Sequence, residues 1–473
     1  MFLSTSAEHI TLPRGLTTRL AGRATLLLAM GWLVVGMSAV APAQVTVQTL
    51  IGRAVTDDSH ATEINSAITR FRDRDVDGCR AMLERVHADD PKVPPPGVMM
   101  ATLWLSVKQA AAARAELDQT VTKFPEDPEP YLVLGDLAFQ DRMVTDASVL
   151  FDRAEELSAK FTSNAKRKRD FDIRCYAGKA AVHEARGQWD AALAEIRKWV
   201  EIDPDSASAR QRLGSALFQL EKPDEALTAF GEAHDLDSKL PRKEMLLARL
   251  YDQAKKTDKA RELVEAAVKA APDDAVVRLG AANWFLTHGD TVAARENGDK
   301  AIDLDPKNLE ARIVNGTIAR VARDFESASK FFGEAHAQSP RNFVASDSLA
   351  LSLAELPEKE NIQRALEIAE TNVAMVKDNQ QLQIASLTTL SWVLYKLGRM
   401  ADAEKILAQV SQNNSLTADG AYYIAQILSD KGEKEQAQRL LEQLMTNDPI
   451  FANRAAAEEL QAALKAEAEA SAK

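Results

Sequence analysis

Residues Ala207–Leu240 read ASARQRLGSALFQLEKPDEALTAFGEAHDLDSKL, and the spacing within that stretch decides the fold. A Leu213-Gly214 pair is followed by a small Ala226, an aromatic Phe230 and a second small residue, Ala233. The pattern predicts a first helix running to about Leu220, a break over Glu221-Lys222-Pro223-Asp224, and a second helix beyond it. Proline has no N–H to give inside a helix and sits best in the first turn or just before it. The same skeleton returns along the chain. Its small residue recurs as Cys79, Ala113, Ala147, Ala192, Ala226, Ala260, Ala294, Ala328, Ala365, Ala403 and Ala437, mostly 34 residues apart. One interval is 45, and two others are 37 and 38.

Other units place Gly187, Gly289, Gly398 or Gly432 in the turn. Several units close at a proline, among them Pro204, Pro306 and Pro449, each in an Asp-Pro step that stops a helix. Small residues let the two helices of a pair approach, while bulky ones fill the groove of the next pair. One pair alone cannot bury its apolar face, so stability has to come from stacking.

With these residues in place, the chain resembles a tetratricopeptide-repeat (TPR) protein, whose unit is a 34-residue helix–turn–helix. Leu213-Gly214, Ala226, Phe230 and Ala233 carry the resemblance in the clearest unit. Tyr131, Leu134-Gly135, Ala147, Phe151 and Ala154 carry it earlier, and Gly316, Ala328, Phe332, Ala335 and Pro340 later. It covers about residues 60–451. Gly298 stands where a large residue is usual, and Thr120 and Asn372 where a small one is. The resemblance implies an all-α fold, a right-handed α-solenoid of about eleven hairpins, with partner peptides lying along a concave face lined by first helices.

The chain divides into a leader over 1–43, a connector over 44–59, repeats over 60–161, a basic insertion over 162–172, repeats over 173–451, and a capping helix with a polar tail over 452–473. The leader has Arg14, Arg19 and Arg23, the apolar run Thr25–Val40, and the small-x-small pattern Ala41-Pro42-Ala43. That order is a secretory signal, with Gln44 the first residue after cleavage. The alternative is an uncleaved inner-membrane anchor through residues 24–40, the only route to membrane contact. Export and the alanine-rich composition point to a periplasmic protein of a bacterium.

The formal net charge is −12, and the leader's own +2 leaves −14 on the rest. Such a body disfavours nucleic acid as a partner. The two cysteines, Cys79 and Cys175, fall in different units and are not expected to pair. Walker-type phosphate loops, G-x-G-x-x-G, H-E-x-x-H, C-x-x-C and G-x-S-x-G are absent. His87, His234 and His336 share one position of the repeat, but units that far apart cannot meet at one metal. No cofactor, no metal and no enzymatic role are therefore expected.

The remaining expectation is a protein or peptide partner on the outward residues of the first helices. The candidates are Phe218, Arg249, Asn283, Arg320, Trp392, Tyr395 and Tyr422. Trp392, Tyr395 and Tyr422 are singled out as an aromatic cluster in a chain poor in aromatics, a composition typical of binding hot spots. Some TPR proteins hold a peptide carboxylate with a Lys/Asn/Lys clamp. Asn283 matches one of its places, but Leu279 stands where a lysine is needed, so that clamp is not expected here. The insertion Ser158–Asp172 holds Lys166-Arg167-Lys168-Arg169 and reads as a solvated extension or, alternatively, a contact for an acidic patch. A permanent subunit of an envelope assembly for secretion or polysaccharide export, or a glycan-binding solenoid, are the other functional readings.

Overall fold

The computed structural model describes residues 46, 47, 50, 60–410, 417–447 and 451–471. Among them are 23 α-helices, from Ala61–Arg72 to Arg454–Ser471, and no strand. The first 22 pair as eleven antiparallel hairpins in chain order, and the last caps the eleventh. The described residues up to Ala267 form one compact unit, holding hairpins one to six, and those from Val268 form another. Each unit is an α-solenoid. The leader and the last two residues lie outside the described residues.

All eleven small residues of the repeat, from Cys79 to Ala437, have 0% of their surface exposed. They are the points of closest approach between the two helices of each hairpin. The reference hairpin consists of Ala207–Gln219 and Pro223–Leu236, with Pro223 in the first turn of its second helix. Ser206 caps the first helix by accepting a hydrogen bond from the Ala209 amide at 3.2 Å. Phe230 lies against Gly214 so closely that a Cβ there would stand 2.7 Å from the ring. Gly316 and Phe332 repeat this contact, and Phe151 is slotted between Gly135 and Gly178. Glycine is needed at these helix positions to admit the ring.

The departures from the pattern are compensated locally. At Gly298 the missing side chain is replaced by Asn315, buried and donating from Nδ2 to the Gly298 carbonyl at 2.9 Å. Thr120 returns its hydroxyl to the Glu116 carbonyl at 2.6 Å, and Asn372 accepts from Ser346 at 2.6 Å. Both cysteines are free and buried. His87 and His234 hold the loops that close their hairpins, with Nδ1 facing the carbonyls of Val93 and Leu240.

Ten of the hairpin turns place one residue in the left-handed region. Gly187, Gly289, Gly398 and Gly432 do so as glycines, whereas Arg74, Lys108, Arg142, Glu221, Lys255 and Arg323 do so at φ between 57° and 66°. The long turn expected over Leu356–Gln363 needs no such residue, and the next helix starts at Lys359. The basic insertion is mostly helix. Its residues lengthen the second helix of hairpin three to Val144–Lys160 and the first helix of hairpin four to Ala165–Ala185.

Gly214→Ala should lower stability by about 1 kcal/mol, because overpacking against Phe230 outweighs the helical preference of alanine. Lys255→Gly should raise it by ~0.5 kcal/mol, since relief at positive φ slightly exceeds the entropy that glycine loses. Chemical unfolding midpoints measure both. A neutral or stabilising Gly214→Ala would remove the ring-slot account.

Candidate functional site

The inner residues of the first helices behave differently in the two units. In the C-terminal unit several of them are consumed by the fold. Arg320, on Leu309–Val321 of hairpin eight, is 8% exposed and donates from Nη2 to Asp419 Oδ2 at 2.7 Å. Asp419 lies 99 residues further on, in the first turn of Ala418–Asp430. That helix end favours a carboxylate. Asp419 Oδ1 also accepts from the backbone and side-chain nitrogens of Asn453, whose Nδ2 reaches Tyr423 Oη. Close by, Asp347 accepts from the Thr389 hydroxyl at 2.9 Å on one oxygen, and its Oδ1 is sealed from solvent, with the Asn372 side chain as its other polar neighbour. Burial pushes the Asp347 carboxyl up to about 7, against the pull of Thr389 and of the Arg320 charge.

The aromatic cluster is also interior. Trp392 is 3% exposed and stacks on Tyr423 at 4.3 Å and on Tyr395 at 5.0 Å. Its Nε1 donates to Glu355 at 2.7 Å, and Lys396 donates to the same carboxylate. Tyr422 is 8% exposed, and the Tyr395 hydroxyl donates to Asp430. The expectation that Arg320, Trp392 and Tyr422 face outward is thus corrected. First helices of successive hairpins pack on one another here, and their inner side chains become core. Tyr395 remains half-buried.

Of the other candidates, Phe218 is half-buried and meets Tyr251 edge-on at 5.0 Å. Arg249 is exposed and Asn283 half-buried.

The N-terminal unit does contain a recess on its first helices, of about 680 Å³. Pro96–Ser106, Glu129–Gln140 and the start of Ala165–Ala185 line it, from hairpins two, three and four. Its apolar surface comes from Val98, Leu105, Val133, Leu137 and Phe171, with Leu50 at one edge. Its charged groups are Glu129, Asp136, Asp170, Arg167 and Arg174.

Arg167 organises this wall. It is 3% exposed, lies 5.3 and 5.0 Å from the ring centres of Phe161 and Phe171, and donates to Glu129 at 2.7 Å and to Asp127 at 3.2 Å. It also reaches the Lys92 carbonyl at 3.4 Å, 75 residues away. Burial pushes the Glu129 carboxyl above the usual carboxylate range; Arg167 opposes the shift and Asp127 adds to it. Arg174 is paired with Asp136 at 2.7 Å. Of the basic run, Arg167 is thus buried, against the expectation of a solvated extension, while Lys166 and Arg169 are exposed in keeping with it. Lys168 pairs with Asp172, and Arg169 with Asp203 and the Ile202 carbonyl.

The groove residues escaped the list of candidates although their register was visible. Asp136 and Gln140 of hairpin three occupy the places of Ser215 and Gln219 in the reference unit. The burial of Arg167 had no signal in the sequence, because it depends on Asp127 and Glu129 in another hairpin. Among the described residues no group of three or more His, Cys, Asp or Glu is placed to hold a metal. No helix among them is long and apolar enough to cross a membrane.

Stacked helical hairpins with a lined inner recess define an α-solenoid, a class that serves as protein–protein interaction scaffolds. The tetratricopeptide-repeat family models match residues 178–241 and 217–282. With the repeat geometry of the other units, they identify the chain as a tetratricopeptide-repeat protein. It is 28% identical over 152 residues to the rice (Oryza sativa subsp. japonica) protein SGT1 homolog, covering 32% of this chain and 40% of that protein. It is 33% identical over 81 residues to small glutamine-rich tetratricopeptide repeat-containing protein 2 of Saccharomyces cerevisiae, covering 17% and 23%. The chain thus spans less than half the length of these curated relatives. Among solved structures, the APC/C hetero-tetramer Cut9-Hcn1 matches at 13% identity and a TM-score of 0.38, over 89% of this chain and 99% of that one.

The Asp347 environment predicts a pH dependence of stability. A carboxyl raised from its ordinary range to about 7 stabilises the fold below pH 4 relative to higher pH, and that contribution is lost as pH rises to about 7. Asp347→Asn should therefore raise the unfolding free energy at pH 8 by roughly 2 to 4 kcal/mol, with little gain at pH 4, as read from chemical denaturation at the two pH values. Equal effects at both pH values would contradict the buried carboxyl.

Proposed function

We propose that this protein is a non-enzymatic scaffold of the bacterial cell envelope that holds a segment of a partner protein in the groove of its N-terminal unit. The observation that carries this reading is the groove of about 680 Å³, lined by first helices of three successive hairpins. It offers apolar surface with a few fixed polar groups, the composition of a recognition site. Helix-on-helix packing holds that surface in place before binding, which reduces the ordering required of the scaffold. The envelope setting is supported by the leader, whose basic, apolar and small-residue parts follow the order of a secretory signal. The anchored form is the alternative within the same compartment.

A photo-crosslinking residue at Gln140, exposed at the groove, should capture the same one or two proteins in growing bacterial cells, identified by mass spectrometry. The same residue at Val149, 64% exposed on a second helix, should capture none of them. Equal capture at both places would end the groove reading. Amino-terminal sequencing of the protein recovered from the envelope should begin at Gln44, or at Met1 if the anchor is retained. Recovery from the cytoplasm alone would end the envelope setting.

A further inference from the structure

We infer that the groove takes a partner segment carrying a lysine or arginine set among apolar residues. The inference rests on the groove reading above and names the chemistry of its occupant. Asp127 and Glu129 share the single guanidinium of Arg167, at 3.2 and 2.7 Å. The nearest further cation of the lining, Arg174, is engaged by Asp136 at 2.7 Å. At Arg167 itself two carboxylate charges thus face one guanidinium charge.

Each kind of occupant meets that wall differently. An acidic segment brings like charge against Glu129 and Asp136. A wholly apolar one strips water from Glu129 and returns no partner, the arrangement that costs most for a buried charge. A cationic side chain lying over Glu129 supplies the missing charge, and its apolar neighbours cover Val98, Val133 and Leu137. The upward displacement of the Glu129 carboxyl, caused chiefly by burial, agrees with a site short of positive charge. The net acidity of the chain favours the approach of such a segment at low salt.

The test uses the full chain and fluorescein-labelled short peptides that share one leucine–alanine pattern and differ at a central Lys, Gln or Glu. Fluorescence anisotropy should find the Lys peptide bound about tenfold tighter than the Gln peptide, and the Glu peptide weakest. Glu129→Gln should erase the preference for Lys. Because Glu129 is a partner of Arg167 and its loss can affect folding, Val133→Lys provides the second variant. It places a cation in the groove and should invert the order, so that the Glu peptide binds best. If the Lys peptide binds no better than the Gln peptide while Val133→Lys weakens both, the groove reading stands and the basic occupant is overturned. If Val133→Lys changes none of the affinities, the groove is not the binding site and both readings fall.

Discussion

The contact on which this structure depends is the meeting of two helices at a residue too small to keep them apart. At eleven places from Cys79 to Ala437 that residue is completely buried. Where a glycine stands on the facing helix, as at Gly135, Gly214 and Gly316, the phenylalanine ring from the second helix takes the space that a Cβ would need. Close packing of this kind yields dispersion contacts that a looser hairpin would forfeit, and it fixes the crossing of the two helices. The stack repeats because the contact repeats.

Onto that frame each unit adds one buried arginine, and the two are put to different ends. Arg320 reaches inward to Asp419 and helps to fill the interior of the C-terminal unit, together with Trp392 and its stacked tyrosines. Arg167 is held between two phenylalanine rings and two carboxylates, and it leaves beside it a recess edged by side chains of first helices. A buried ion pair is a weak source of net stability, since desolvation offsets most of the Coulomb attraction. Its strength lies in specificity of arrangement. With the guanidinium bonded to Lys92, Asp127 and Glu129, the start of Ala165–Ala185 has little freedom to tilt.

Much of this was legible in the sequence. The period of 34 residues placed the hairpins, and Pro223 and the turn glycines placed their breaks. The six polar residues at positive φ could not be foreseen, because arginine, lysine and glutamate have no preference for that region, and only the tight turn of the hairpin imposes it. Which aromatics face outward was misread for a related reason. A repeat pattern tells which side of a first helix is inner, but whether that side is empty or filled depends on how the hairpins are set within their own unit. Trp392 occupies the register that Ser215 holds in the reference unit, yet the first is core and the second half-buried. Local spacing identifies the element; burial at the inner face is a non-local property.

The bond between Arg320 and Asp419 bears on how the C-terminal unit comes apart. A solenoid whose repeats touch only their neighbours loses stability additively and frays from an end, one hairpin at a time. Here a side chain of hairpin eight is tied to hairpin eleven, across 99 residues, and Asp419 is tied in turn to Asn453 at the approach to the terminal helix. Fraying at the carboxyl end therefore leaves a buried guanidinium without its counter-ion three hairpins away. Such a linkage couples the repeats into one cooperative block with a higher contact order than its architecture implies, and slower folding goes with it.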